Sequence, residues 1–497
     1  MSKTFKTFKS KSKSKSKIVN NKYKTDLCED KMTFNECELA ILRHAVDETE
    51  HIKKKKIANS ADVYKMISIL EDFLIRKKLI CYGGTAINNI LPKSAQFYNK
   101  ETEISDYDFY SSNALEDAKE LADIYYKAGY KEVEAKSGLH YGTFKVFVNF
   151  IPMADITYLH TDLFNSILTE AITVAGIKYA PANFLRMNMY LELSRPAGDV
   201  SRWEKVLKRL TLLNEHFPLN IPVDCNMVDF QRKMETNMKS SEQIYFTVRD
   251  TFINLGVIFF GGYASSIYSD YMPKTQKKIV EKIPDFDVIS EDPDRTSLII
   301  KERLEEIGIT NVKLIHHEEI GEIVPEHIEI RTGKDTIAFI YKPIACHNYN
   351  TITIDGKEIN IATIDTILAF YLAFYYANKP YYYRDRILCI THFLFNLEEQ
   401  NRLEQKGVLK RFSISCVGKQ PSLEDIRATK SDKFIELSGM KESLEYQMWF
   451  LKYNPRENSK KNLKTGYDKK ENIDKTRKHR SNNKNNFTRY NKANFWY

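Results

Sequence analysis

The sequence predicts a mixed α/β fold, of α/β or α+β class, in which one type of domain occurs twice in tandem. Residues 79–109 contain a hydrophobic strand-like run that ends in two glycines, then a helix-like segment, then two aspartates flanked by aromatic residues. The same order of segments recurs over residues 255–290. Alternating strand-like and helix-like segments are typical of α/β domains, and the recurrence of a long pattern indicates an internal duplication.

The length and composition are those of a globular protein of two or three domains. The chain has 497 residues, of which 42% are hydrophobic and 12% aromatic. No apolar run is long enough to span a bilayer, and the N-terminus lacks the apolar segment of a secretory signal. The seven cysteines show no CxxC spacing. We therefore expect reduced thiols in a cytosolic protein, rather than zinc ligands or a disulfide framework.

Both ends of the chain are strongly basic. Residues 1–24 contain nine lysines and no acidic residue, and residues 456–497 contain 13 lysines and arginines against four acidic residues. Each tail thus carries a net charge of +9, equal to that of the whole chain, so the residues between them carry −9. The tails lack periodic apolar residues, which predicts disorder. They could contact a phosphate backbone, or serve only as solubilising or localisation tails.

The segments between the tails read as alternating helices and strands. Helices are expected over residues 31–57 and 60–77 ahead of the glycines, and over 114–128, 176–195 and 201–215 after the aspartates, while a long strand ends near residue 151. Ser60 is a plausible N-cap of the second helix. Residues 380–455 read as helix and loop that complete the second copy. These segments place the glycines and aspartates of both copies at the ends of strands.

Three carboxylates in the first copy are candidates for binding metal ions. Asp106 and Asp108 are two residues apart in a predicted strand, so their side chains project from the same face. Asp155 follows a later strand-like run. Adjacent carboxylates repel each other unless a cation lies between them, and Mg²⁺ prefers oxygen ligands. Gly83 and Gly84 allow a backbone to approach a phosphate closely.

The order of strand, Gly-Gly-Thr, helix and paired aspartates, with Asp155 on a later strand, resembles the signature of the polymerase-β-like nucleotidyltransferase superfamily. The tandem arrangement, with the runs CYGGTAIN, DYDFYS and MNMYLELSRP, resembles more closely the poly(A) polymerase catalytic subunits of poxviruses and other large DNA viruses. This resemblance implies an enzyme that extends mRNA 3′ ends with ATP and no template, using two Mg²⁺ or Mn²⁺ ions. It assigns Asp106, Asp108 and Asp155 to catalysis and metal binding, and Gly83, Gly84 and Thr85 to the triphosphate.

Three further residues are hypothetical nucleotide contacts: Asn183, Arg186 and Lys205. The helix over residues 201–215 has a basic face, which could be a solvated surface or could contact a triphosphate or RNA. The resemblance further implies a single-stranded RNA 3′ end as partner and a location in the cytoplasm of an infected cell, its viral factory or the virion. It leaves open whether the chain acts as a homodimer or with a separate processivity subunit. No membrane association is expected.

The second copy departs from the pattern at the position of the triphosphate and of the third carboxylate. The spacing is conserved: the second glycine and the first aspartate are 22 residues apart in the first copy, Gly84 to Asp106, and 23 in the second, Gly262 to Asp285. Tyr263 replaces Thr85, and alignment of Pro152 with Pro343 sets Cys346 in the place of Asp155. A thiol is a poor ligand for Mg²⁺. We therefore expect a catalytically inactive copy that serves as scaffold or RNA-binding surface.

These patterns divide the chain into four parts: a basic tail, residues 1–24; a catalytic domain with N-terminal helices, residues 25–225; a degenerate nucleotidyltransferase-like domain, residues 226–455; and a second basic tail, residues 456–497. Two other functions remain open. One is another RNA terminal nucleotidyltransferase, of CCA-adding or oligoadenylate-making type, which would carry the same three acids. The other is a non-catalytic RNA-binding processivity scaffold, which would be expected to lose the acids of the first copy.

Overall fold

The structure is a computed structural model that describes residues 25–29, 31–99, 106–219, 221, 223–228, 230, 238–280, 285–321 and 323–457. The disorder predicted for the basic tails concerns residues 1–24 and 456–497, which lie outside the described residues except for Arg456 and Glu457. Within the described residues, no helix combines the length and the apolar character needed to cross a bilayer.

The chain forms two compact units. One comprises residues 1–67 and 98–105, and its described part contains helix α1 (Phe34–Ala58) and the beginning of α2 (Ala61–Lys77). The other comprises residues 68–97 and 106–497 and contains both predicted copies. Helix α1, which the sequence places in the catalytic domain, thus belongs to a different unit from the strands of that domain.

The first copy is built on an eight-stranded sheet with the strand order β16-β3-β4-β5-β2-β1-β7-β6. Its strands are β1 (Ile80–Tyr82), β2 (Tyr107–Ser111), β3 (Val133–Ser137), β4 (Thr143–Val148), β5 (Ile151–Tyr158), β6 (Ile172–Val174), β7 (Ile177–Tyr179) and β16 (Lys452–Tyr453). The helices that follow these strands are α3 (Gly83–Ile90), α4 (Ala114–Lys127), α5 (Thr161–Thr169), α6 (Ala182–Leu193) and α7 (Trp203–His216).

The second copy has an eight-stranded sheet with the order β10-β11-β12-β9-β8-β14-β13-β15. Its strands are β8 (Ile258–Phe259), β9 (Phe286–Ile289), β10 (Val312–His317), β11 (His327–Thr332), β12 (Asp335–Tyr341), β13 (His347–Ile354), β14 (Lys357–Ala362) and β15 (Cys416–Val417). Its helices are α8 (Met238–Leu255), α9 (Gly262–Tyr268), α10 (Lys274–Val280), α11 (Pro293–Glu306), α12 (Ile364–Ala377) and α13 (Arg384–Gln400), and α14 (Leu423–Leu437) and α15 (Leu444–Phe450) follow.

The two sheets have the same topology. Strands β3, β4, β5, β2, β1 and β7 of the first correspond in order and direction to β10, β11, β12, β9, β8 and β14 of the second. The predicted α/β class with tandem copies is therefore confirmed. The alternation along β4 shows how the sequence produces the layers: Phe144, Val146 and Val148 are buried on the side that α4 covers, while Lys145 and Phe147 lie on the other face.

The end of the described chain belongs to the first sheet. Strand β16 pairs with β3, Tyr453 donates a hydrogen bond to Asp123 at 2.8 Å, and the rings of Trp449 and Tyr141 are 5.0 Å apart. The prediction that residues up to 455 complete the second domain is thus wrong for this last part. The edge of β3 offers unpaired backbone groups, which the returning chain satisfies.

The expectation of reduced cysteines is also wrong. Disulfide bonds join Cys28 to Cys37, Cys225 to Cys389 and Cys346 to Cys416, and among the described residues Cys81 is the free, buried thiol. The second pair is separated by 164 residues in sequence. Sequence spacing alone does not reveal such a pair, because folding brings the two cysteines together.

Candidate active site

The register of three adjacent strands brings the predicted carboxylates together. Strand β1 is antiparallel to β2 and pairs Tyr82 with Asp108, while β5 is parallel to β2 and pairs Asp155 with Asp108. Asp106 immediately precedes β2 at the same edge. Since paired residues project to the same face, Asp108 and Asp155 are direct neighbours beside the glycine turn.

The glycine turn passes close to one of these carboxylates. Gly83 has a φ of +71°, and a Cβ atom on it would lie 2.8 Å from Oδ2 of Asp108. Both observations require glycine at this position. The predicted role of Thr85 is less direct: its side chain is buried, and its hydroxyl donates a hydrogen bond of 2.5 Å to the main-chain carbonyl of Asp106. Thr85 therefore ties helix α3 to the aspartate strand.

The electrostatics of the site favour a bound cation. Burial, followed by repulsion from Asp106 and Asp155, raises the pKa of Asp108 to about 8. Burial of its carboxylate and repulsion from Asp155 likewise raise the pKa of Asp106, although the residue as a whole reaches solvent. Positive charge on Lys145 lowers both values. A cation bound between such carboxylates favours their ionised form and relieves the repulsion between them.

Lys145 is a site residue that sequence reasoning missed. It pairs with Asp155 across β4 and β5, and its ammonium group forms an ion pair with Oδ2 of Asp155. Within the described parts of the chain, no group of three His, Cys, Asp or Glu side chains is arranged so that it could hold a metal ion. In this structure the ammonium group of Lys145, rather than a metal ion, neutralises the charge of Asp155. A lysine in the otherwise hydrophobic run FKVFV was the available signal.

Basic residues at the start of α7 contribute positive charge to the site. Lys205 lies close enough to Asp106 to lower the pKa of that carboxyl, and Arg202 has the same effect on Asp108. Arg202 also pairs with Glu192 at 3.1 Å, whereas Lys208 pairs with Glu204 at 2.5 Å. The basic face that the sequence predicts for this helix is therefore split between two environments. Arg202 and Lys205, at its beginning, lie near the carboxylates, whereas Lys208 lies on the solvated surface.

The structure does not bring Arg186 to the carboxylates. Its side chain is fully buried, and its guanidinium group donates to the side chains of Asn183 and Asn214 and to the carbonyl of Phe217. Each of its three nitrogens donates a hydrogen bond within the protein, so a direct contact between Arg186 and a nucleotide stays a prediction. Asn183 lines a cavity of about 310 Å³ together with Glu170 and Phe217. In this arrangement Arg186 orients Asn183 at that cavity.

The corresponding site in the second copy keeps two aspartates, Asp285 and Asp287, but surrounds them with different partners. Arg386 pairs with Asp285 at 3.0 Å and lies at the same position of α13 as Lys205 does of α7. The strand pairing sets Phe339 opposite Asp287, where the first copy has Asp155 opposite Asp108. Phe339 in turn pairs with Glu329, where Asp155 pairs with Lys145.

The predicted equivalence of Asp155 and Cys346 is therefore wrong, and Phe339 occupies that place. The sequence alignment rested on two prolines, but Pro152 lies within β5 whereas Pro343 follows the end of β12. Cys346 is buried and bonded to Cys416 beyond this strand. The conclusion that the third carboxylate is lost still stands, because a phenylalanine cannot bind a metal ion.

Comparison with known proteins gives results that agree with this geometry. Residues 68–199 match the sequence model of a family described as the poly(A) polymerase catalytic subunit. Two relatives, each named for a poly(A) polymerase catalytic subunit, come from African swine fever virus (strain Badajoz 1971 Vero-adapted), 34% identical over 176 residues, and from Acanthamoeba polyphaga mimivirus, 30% identical over 234 residues. These matches cover 34% and 43% of this chain, and 37% and 38% of the relatives.

A solved structure shares the fold over most of the chain. The crystal structure of the Megavirus polyadenylate synthase matches with a TM-score of 0.72 and 18% identity, over 90% of this chain and 91% of that one. At this identity the match establishes the fold. The matched family segment contains the glycine turn and all three carboxylates. The resemblance predicted from the sequence is thus confirmed: residues 68–199 match the model of the poly(A) polymerase catalytic subunit family, and relatives named for that subunit occur in large DNA viruses.

Proposed function

We propose that this protein is a polynucleotide adenylyltransferase, which adds adenylate residues from ATP to RNA 3′ ends without a template and releases pyrophosphate. The observation that supports this proposal best is the strand register that sets Asp108 beside both Tyr82 and Asp155 at the glycine turn. Carboxylates next to a close backbone approach suit a nucleoside triphosphate with its metal ions. Viral mRNA in the cytoplasm of an infected cell is the proposed substrate.

Asp106, Asp108 and Asp155 would hold two divalent ions, Mg²⁺ or Mn²⁺. The chemistry of the donor set suits such ions, although the three carboxylates are not arranged around one position while Lys145 pairs with Asp155. Carboxylate oxygens are the preferred ligands of these ions, and burial and mutual repulsion raise the pKa of Asp106 and Asp108. When bound, these ions would lower the pKa of the attacking 3′-hydroxyl and neutralise charge on the triphosphate. Asp155 would position the hydroxyl end of the RNA, either as a ligand or as a general base.

The other residues of the site bind and orient the reactants. Gly83 and Gly84 allow the backbone of α3 to approach the β- and γ-phosphates, and Thr85 holds that helix against Asp106. Lys205 and Arg202 provide positive charge opposite the carboxylates, where a triphosphate would lie. Asn183 is available to contact the base or ribose, with Arg186 as its support.

The second copy serves as scaffold, since Arg386 pairs with Asp285. The chain would act as a homodimer or with a processivity subunit.

The test is extension of a labelled single-stranded RNA primer with each NTP in turn, in the presence of Mg²⁺ or Mn²⁺. We expect long products with ATP only. The double substitution Asp106→Ala and Asp108→Ala should abolish them, because it removes two carboxylates of the site. The matched control, Asp285→Ala with Asp287→Ala, should retain extension, because the second copy lacks the third carboxylate.

Three outcomes would change the assignment. Extension with every NTP, or arrest after a few additions, would indicate a terminal transferase of another type, such as a CCA-adding or oligoadenylate-making enzyme. RNA binding without any extension would indicate a non-catalytic processivity scaffold. Equal loss in the two double variants would show that the second copy takes part in the reaction.

A further inference from the structure

The hairpin between β4 and β5 ends in a turn that places a large aromatic side chain in an unfavourable conformation. Its two central residues, Asn149 and Phe150, have φ values of +49° and +66°. Turns with two residues at positive φ favour asparagine followed by glycine. A phenylalanine at the second position is strained, because its Cβ approaches the backbone too closely. The side chain of Phe150 is also 84% exposed, so burial in this chain does not offset the strain.

The second copy provides an internal comparison. The hairpin between β11 and β12 corresponds to the hairpin between β4 and β5, and its turn consists of Gly333 and Lys334. Gly333 has a φ of +60° and supplies the left-handed conformation without strain. The inactive copy thus lacks an aromatic residue at this turn. The strained, exposed ring is a property of the copy that carries the three carboxylates.

The turn extends beyond the edge at which the carboxylates lie. Ala154 of β5 pairs with Tyr107, the first residue of β2. Strand β5 begins three residues earlier, at Ile151, so its N-terminal end extends past the end of β2. A strand rises about 3.3 Å per residue, so Phe150 lies about 16 Å along the strand from Asp155. Asp106 precedes β2, and the glycine turn follows β1, at this same edge. The hairpin therefore projects past the proposed reaction centre.

The half-buried face of β4 connects Asp155 to this turn. Lys145, which pairs with Asp155, and Phe147 both lie on this face, opposite the buried Phe144 and Val146. The ammonium group of Lys136 on β3 lies 4.2 Å from the ring centroid of Phe147 and 3.3 Å from Glu134. Aromatic and basic side chains thus alternate from the carboxylates towards Phe150. Proteins that bind single-stranded nucleic acid combine positive charge with rings on which bases stack.

We propose that Lys136, Phe147 and Phe150, here called the β4 track, bind single-stranded RNA behind its 3′ end, with a base stacked on Phe150. This inference rests on the proposed function, since it places the reacting 3′-hydroxyl at the carboxylates. A stacked strand advances about 3.4 Å per nucleotide, so the distance of about 16 Å corresponds to roughly five nucleotides. The ring of Phe150 would therefore contact the RNA near the fifth nucleotide from the end.

The experiment compares Phe150→Gly and Phe150→Tyr with the unchanged full-length chain. Affinity is measured for fluorescent oligoadenylates of three and of fifteen nucleotides, in EDTA and without ATP. Stacking on one ring typically changes affinity by about fivefold or more. We expect Phe150→Gly to weaken binding of the 15-mer by about this factor and to leave the trimer unchanged. The tyrosine variant should bind both RNAs as the unchanged protein does, because it retains the ring.

Thermal unfolding separates this role from a structural one. Glycine accepts a φ of +66°, so the melting temperature of Phe150→Gly should equal or exceed that of the unchanged protein. Unchanged affinity of Phe150→Gly for the 15-mer would overturn the proposal. It would indicate that the exposed ring of Phe150 contacts a protein partner instead of RNA. Equal weakening for both RNAs, or a lowered melting temperature, would also overturn it. Because binding is measured without ATP or metal, absence of primer extension would count against the proposed function alone.

Discussion

Replacement of Asp108 by asparagine is expected to abolish nucleotide addition and, in the absence of metal ions, to make the protein more stable at pH 8.5. The activity should fall by roughly a thousandfold or more, because metal ions supply several kcal/mol of transition-state stabilisation and Asp108 would be a ligand. The gain in stability follows from the surroundings of the carboxylate. Burial and repulsion from Asp106 and Asp155 raise its pKa from 3.8 to about 8.

The direction of the pH dependence follows from this raised pKa. In the unfolded chain the carboxyl group loses its proton above about pH 4, whereas the folded protein retains that proton until about pH 8. The contribution of Asp108 to the free energy of unfolding is therefore fully present below pH 4 and declines as the pH rises to 8. Asparagine does not ionise, so the variant avoids this loss, which amounts to several kcal/mol because each unit of pKa shift corresponds to about 1.4 kcal/mol.

The measurement is thermal unfolding in EDTA at pH 5.5 and pH 8.5, repeated after addition of Mn²⁺. The unchanged protein should gain stability from Mn²⁺ mainly at pH 8.5, where Asp108 is ionised and binding does not have to displace its proton. Asp108→Asn should gain little at either pH. Asp287→Asn, at the corresponding position of the second copy, is the matched control and should leave the Mn²⁺ effect intact. A lower melting temperature of Asp108→Asn at pH 8.5 would contradict this electrostatic account.

The sequence predicts the glycine turn and the three carboxylates because these depend on short-range patterns. The period of a strand sets Asp106 and Asp108 on one face, and two glycines before a helix identify the close approach of the backbone. The position of Lys145 in the site depends instead on the pairing of β4 with β5. In the sequence it is one of 75 lysines and arginines. Composition cannot single it out, because only the register places its ammonium group against Asp155.

The wrong assignments share one physical reason. The assignments of Cys346 and of the residues up to 455 came from local sequence, but the positions of both depend on contacts made by distant segments. Cys346 is bonded to a cysteine 70 residues away, and β16 pairs with a strand more than 300 positions earlier. The surroundings of Arg186 show the same dependence, because Asn214 and Phe217, which accept its hydrogen bonds, lie at the end of another helix.

A second large effect is expected at Arg411, which holds two buried carboxylates between helices α12 and α13. Its guanidinium group contacts Asp365 at 2.9 Å and Glu398 at 2.9 Å, and all three side chains are almost completely buried. Burial raises the pKa of both carboxyl groups, and the positive charge of Arg411 opposes that rise. Removal of one partner from a buried ion pair leaves a charge without compensation, which typically costs about 3–5 kcal/mol.

Arg411→Met should therefore lower the free energy of unfolding by about 3–5 kcal/mol, as measured by urea denaturation at pH 7.5. The loss should shrink at pH 5, because the two acids then more readily take up protons in the folded state. Addition of Asp365→Asn and Glu398→Gln to this variant should restore part of the stability, since neutral side chains replace the unpaired charges. Helix α12 packs against α6, which carries Asn183, so primer extension at 37 °C should fall together with stability. Equal destabilisation of the single and triple variants would show that packing around Arg411, rather than charge compensation, holds these helices together.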